Sequence, residues 1–76
     1  MPLTDIDQYV IDRVRAKRVE FAWTQDDLSA ASGLSQGFIG DVESGKREKK
    51  YNFKHINIFA KVFNCSPKDF LPEKPL

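Results

Sequence analysis

The 76-residue sequence predicts an all-α fold of five short helices in one domain, and three observations carry that expectation. No segment alternates apolar and polar residues as a half-buried strand would, whereas apolar residues recur at helical spacing. Each predicted helix opens on a Ser, Thr or Asn able to cap free backbone N–H groups. Finally, an apolar residue precedes each of the last four caps and another follows four positions after the cap. The pairs are Trp23 with Leu28, Leu34 with Ile39, Tyr51 with Ile56, and Cys65 with Phe70. Each has the spacing of a hydrophobic staple, which sets the angle at which the chain enters its helix.

The first helix opens at Thr4, with Asp7 placed as its capping-box partner. Its apolar stripe reads Ile6, Val10, Val14 and Phe21, with Tyr9 and Ile11 flanking it. Thr24 and Asp27 open the second helix, about residues 25 to 32, and Gly33 supplies the left-handed residue that ends it. The third starts at Ser35, runs to about Ser44 and stops at Gly45. The fourth starts near Asn52 and places Phe53, Ile56, Phe59, Ala60 and Phe63 on one face. The fifth is short: Ser66 caps it, Pro67 takes the first helical position, Asp69 completes the box and Pro72 bars extension.

A chain of this size buries only about 60% of its unfolded surface, so its stability is marginal and its caps matter. It offers catalysis no foothold, because its one histidine, His55, and its one cysteine, Cys65, are far apart and no metal-ligand spacing occurs. No cofactor or metal is expected. Cys65 reads as a small buried apolar group and His55 as a surface helix residue. One cysteine, no apolar run near the length of a membrane span and an acidic start unlike a signal peptide together predict a cytoplasmic protein. The net charge of +1 is uninformative, but its distribution is uneven. Asp5, Asp7 and Asp12 lead; Arg13, Arg15, Lys17 and Arg18 follow; Lys46, Arg47, Lys49 and Lys50 form a second basic cluster broken only by Glu48.

The most informative segment runs from Trp23 to Lys46. Two short helices separated only by Gly33 and Leu34 must cross steeply, as in a helix-turn-helix, and Ser29 and Ala30 are small enough for close contact. Leu28, Ile39 and Val42 close the core beneath, which leaves Ser35, Gln36, Gly37, Phe38 and Asp41 on the outer side of the third helix.

These residues resemble the helix-turn-helix family of phage repressor and Cro proteins, the xenobiotic-response-element-type regulators. Thr24-Gln25-Asp26-Asp27-Leu28 matches that family's Thr-Gln-acidic-acidic-Leu pattern, and Ile39 through Lys46 matches its Ile-x-x-apolar-Glu-x-Gly-Lys ending. The basic stretch from Arg13 to Arg18, Phe53, Ile56, Phe59-Ala60-Lys61 and Ser66 to Phe70 extend the likeness over nearly the whole chain. The resemblance implies a five-helix, lambda-repressor-like DNA-binding domain over residues 1–76, with its helix-turn-helix core at 24–45.

It also implies roles. The third helix enters the major groove of double-stranded DNA, with Ser35, Gln36, Gly37, Phe38 and Asp41 reading bases. Gln36 suits the adenine edge and Asp41 the exocyclic amine of cytosine, while Phe38 either touches a thymine methyl or sugar or packs on the second helix. Thr24, Gln25, Ser44, Lys46, Arg47, Lys49 and Lys50 are expected on phosphates, Gln25 at the positive start of the second helix. Arg18 and Glu43 match a pair linking the first and third helices, so a partly buried ion pair is expected. Gly37, Gly40 and Asp41 depart from the longer polar or basic side chains common in relatives. The implied activity is repression in a prokaryotic cytoplasm, by a homodimer on a two-fold related operator, paired through the fifth helix and tail including Phe70 and Leu71. A protein-interaction module of the same fold, an antitoxin or coactivator adaptor with weak DNA contacts, is the alternative.

Overall fold

The computed structural model describes residues 2–76 and contains four α-helices, two 3-10 turns and, among the described residues, no strand. The helices are α1 (Asp5–Glu20), α2 (Gln25–Ser32), α3 (Gln36–Ser44) and α4 (Phe53–Phe63). A basic turn, Lys46–Glu48, follows α3, and a closing turn, Pro67–Phe70, follows α4.

Local chemistry sets these boundaries. Thr4 and Thr24 each accept from the N–H of the residue three positions on, Asp7 and Asp27, whose carboxylates return a bond to the cap backbone. Asn52 makes the same box with His55, whose Nδ1 accepts from the Asn52 N–H at 3.0 Å. Gly33 and Gly45, at φ 78° and 77°, end α2 and α3 in the left-handed region where a side chain is disfavoured.

The closing turn is where the expected fifth helix stands corrected. Only four residues separate Ser66 from Leu71, which is already extended, and Pro72 follows. That leaves room for i to i+3 bonds alone, such as Asp69 N–H to Ser66 carbonyl at 2.9 Å, so the segment is a 3-10 turn.

The core joins Val10, Ile11 and Val14 of α1 to Leu28, Ile39 and Val42, then to Tyr51, Ile56, Phe59, Ala60, Phe63 and Phe70. Trp23, Leu34 and Cys65, the remaining leading members of the staples, pack against its edge. The α1 stripe departs from its reading. Ile11 rather than Ile6 is buried, and Phe21 lies beyond the last helical turn, where it meets Trp23 and Phe63 edge-on at the surface. Phe53 is also misplaced by periodicity alone. It begins α4, where side chains lean back toward the N-terminus, and so projects past the end of the core. Ala30 is exposed, leaving Ser29 as the small residue at the α2–α3 crossing. His55 is half-buried rather than a surface residue, because its ring packs against both Phe38 and Tyr51 while capping α4.

Candidate nucleic-acid interface

The turn between α2 and α3 is held by its own side chains. Ser29 Oγ donates to the Leu34 carbonyl at 2.6 Å, and the Leu34 N–H donates to Ser32 Oγ at 3.2 Å. Ser35 then accepts the Phe38 N–H at 3.1 Å and starts α3. Leu28 and Ile39 are fully buried beneath the turn, so the two short helices form one rigid unit.

A chain of polar contacts crosses that unit from the core to solvent. Arg18 reaches Glu43 with two bonds, Nε to Oε2 at 2.9 Å and Nη2 to Oε1 at 2.7 Å, and donates through Nη1 to the Trp23 carbonyl at 2.7 Å. Glu43 raises the Arg18 pKa above its ordinary value, chiefly through these bonds and against the cost of burial. Arg15 Nε lies 3.7 Å from the same carboxylate. Gln25 Nε2 donates to Glu43 Oε1 at 3.3 Å, and Gln36 Nε2 donates to Gln25 Oε1 at 3.0 Å.

The carboxylate dictates the polarity of this chain. An ionised carboxylate only accepts, so Gln25 must turn its NH2 inward and its carbonyl outward, toward Gln36. Gln36 in turn gives one N–H to Gln25 and keeps its carbonyl and second N–H at the exposed start of α3. That remaining pair is the donor and acceptor set that an adenine edge requires.

Gly40 leaves room for this approach. A Cβ at this position would lie 3.2 Å from Gln25 Oε1 and 3.5 Å from Gln36 Nε2. Gly40→Ala is therefore expected to separate two effects. Thermal unfolding should show α3 stabilised by up to about 1 kcal/mol. DNA selection should show weaker base preference, since the added methyl pushes the two amides apart. Unchanged preference would mean that the amides adjust freely.

The other residues expected at the interface are distributed as follows. Ser35 and Gly37 are exposed at the start of α3. Phe38 is half-buried, its ring 5.1 Å from His55 and 5.9 Å from Tyr51, centroid to centroid. Burial lowers the His55 pKa, in keeping with a neutral ring whose Nδ1 serves as acceptor, and raises that of the Tyr51 phenol. Asp41 is engaged by Lys49, Nζ to Oδ2 at 3.1 Å, and the same ammonium stands 5.9 Å above the Phe38 ring. Thr24 is exposed, but its hydroxyl already caps α2. Ser44 closes the far end of α3, donating to the Asp41 carbonyl and accepting the Lys46 N–H.

The basic turn is tightly wound: Gly45, Arg47 and Glu48 all have positive φ. It holds Lys46, Arg47 and Lys50 at the surface, with Lys50 Nζ 3.5 Å from Asp7. Sequence reasoning missed the links from Gln25 to Glu43 and from Lys49 to Asp41. Gly40, one of two glycines inside α3, was an outward sign of the close approach of Gln25 and Gln36.

Among the described residues, no group of His, Cys, Asp or Glu is arranged to hold a metal ion, and no helix is long and apolar enough to cross a membrane. No curated protein and no solved structure matches the chain. A family model described as helix-turn-helix does match, over residues 14–70, from the middle of α1 to the end of the closing turn. With the capped, glycine-hinged α2–α3 unit inside that span, the chain belongs to the helix-turn-helix family of phage repressor and Cro type, a family of DNA-binding regulator domains.

Proposed function

We propose that the chain represses transcription by binding a specific double-stranded DNA site as a homodimer, with α3 of each copy in the major groove. The observation that carries this reading is the amide chain from Glu43 through Gln25 to Gln36, which presents an oriented donor and acceptor at the exposed start of α3. A glutamine held this way bonds adenine at N6 and N7, and the contact is worth about 1–3 kcal/mol of discrimination. Gln25 keeps one N–H for a backbone phosphate at the positive start of α2. Ser35 and Gly37 let the sugar–phosphate strand and base edges approach closely, while Asp41 offers an acceptor to a cytosine amine. Thr24, Ser44, Lys46, Arg47, Lys49 and Lys50 provide phosphate contacts around this centre. Occupying an operator blocks access to it, which is all that repression requires of so small a domain. In this reading it works in a prokaryotic cytoplasm, where Cys65 stays reduced.

The pairing of Asp41 with Lys49 also weighs against the interaction-module alternative. A bare carboxylate on the recognition surface would repel phosphate, but this one has a cation 3.1 Å away. Selection from a random duplex library tests the proposal. The wild-type protein should enrich one motif, and Gln36→Ala should enrich the same motif with one adenine-containing position blurred. Identical motifs from both proteins would remove Gln36 from the readout, and no motif from the wild type would remove the function.

A further inference from the structure

We propose that a second copy of this chain covers the apolar groove between the starts of α1 and α4 and the tail, each copy seating its Phe53 ring in the other's groove. The inference rests on the homodimeric reading above and names its interface.

Phe53 is 83% exposed, and Ile6 and Leu71 retain 43% and 39% of their surfaces. All three border one groove of about 570 Å³, whose floor includes Val10 and Ile56. Contiguous exposed apolar groups of this kind mark an interaction surface. A two-fold interface uses the same patch on both partners, so that patch must carry a projection and a recess together. Here the projecting ring stands directly beside the recess. Phe70, by contrast, is 1% exposed and spent on the protein's own core, so the tail contributes Leu71 alone.

Charge on the rim favours a second copy over other partners. Asp7 and Lys50 both line the groove, 3.5 Å apart, so the rim bears one anion and one cation. Two such rims complement each other under a two-fold rotation, whereas a strongly acidic or basic partner finds no matching field. Position favours it too. Lys50 belongs both to the rim and to the basic stretch after α3, and no α3 residue lines the groove. Pairing here sets two basic turns side by side while both recognition helices remain open. Three apolar side chains fall well short of the roughly 800 Å² per partner of a standard stable interface. The copies therefore associate weakly when free and firmly when DNA aligns them.

The test combines sedimentation equilibrium of the full chain with binding to duplexes carrying the selected motif once or as an inverted repeat. Wild-type protein should self-associate as its concentration rises and fill the inverted repeat cooperatively. Phe53→Asp should stay monomeric and lose about tenfold or more in binding of the second copy, as expected when a central aromatic anchor is removed. Its affinity for the single motif should not change. Ile6→Glu, also on the groove's border, should behave alike, and circular dichroism should show both variants folded. Self-association of both variants at wild-type strength would overturn the proposal. So would a wild-type protein that stays monomeric and fills two motifs independently. Should the single motif bind neither protein, the DNA reading fails while the sedimentation comparison still decides the interface.

Discussion

Arg18→Ala is expected to cost about 1–3 kcal/mol of folding stability, between the loss for an exposed ion pair and that for a fully buried one. The pair is partly buried: the side chains of Arg18 and Glu43 retain 12% and 5% exposure. Deleting the guanidinium strands the Glu43 carboxylate against the core and orphans the Trp23 carbonyl that Nη1 now satisfies. An exposed pair would be worth no more than about 1 kcal/mol, so the size of the effect discriminates. For a domain of this length each kcal/mol shifts melting by about 4–8 °C, and total stability is only about 5–15 kcal/mol. Urea and thermal unfolding should therefore show a clear drop in stability and melting temperature for Arg18→Ala. A loss below 1 kcal/mol would show that Arg15 or solvent neutralises Glu43 unaided.

The same pair separates stability from recognition. Replacing both partners, Arg18→Met with Glu43→Leu, should recover most of the lost stability, because an apolar pair of similar volume needs no charge compensation. It should not recover base selection. Leucine cannot accept from Gln25, so the Gln25 amide is free to invert and Gln36 loses its fixed partner. A folded double variant that selects the wild-type motif would show that the amides orient without the carboxylate.

How much of this was visible in the sequence follows from distance along the chain. Caps, staples and glycine stops act within a few residues, and so the starts of α2, α3 and α4 could be read directly. Periodicity was less reliable at the ends of helices. It put Ile6 and Phe53 in the buried stripes but could not show that the core stops short of them, which takes knowledge of what packs above. The fifth helix failed for a related reason: its cap and prolines were legible, but not that they leave one 3-10 turn. The site divides the same way. Gln25 and Gln36 were readable as individual polar groups at helix starts. The path Arg18, Glu43, Gln25, Gln36 runs across three helices, and no local pattern encodes it. The bond from Lys49 to Asp41 likewise depends on how the turn Lys46–Glu48 folds the chain back onto α3.

Salt should reveal the second large effect. In the proposed homodimer Lys46, Arg47 and Lys50 would each meet the DNA backbone twice, and contacts of this number lose about 10³-fold in affinity between roughly 50 and 200 mM salt through counterion release. Lys46→Ala with Arg47→Ala removes two contacts per copy, which should flatten the slope of log affinity against log salt by about 3.6 for the dimer. Base preference should survive, because phosphate contacts position the protein without reading sequence. Lys49→Ala should act differently. Its ammonium is held by Asp41, so its removal uncovers a carboxylate on the proposed DNA-facing side of α3 as well as deleting a cation. Affinity should fall further than one lost phosphate contact explains, and preference at the position facing Asp41 should change. Asp41→Asn in the Lys49→Ala background should restore part of the affinity, since the uncovered charge is then gone. No restoration would mean that Asp41 stands too far from phosphate to matter, and that Lys49 contributes to binding as a simple cation like its neighbours.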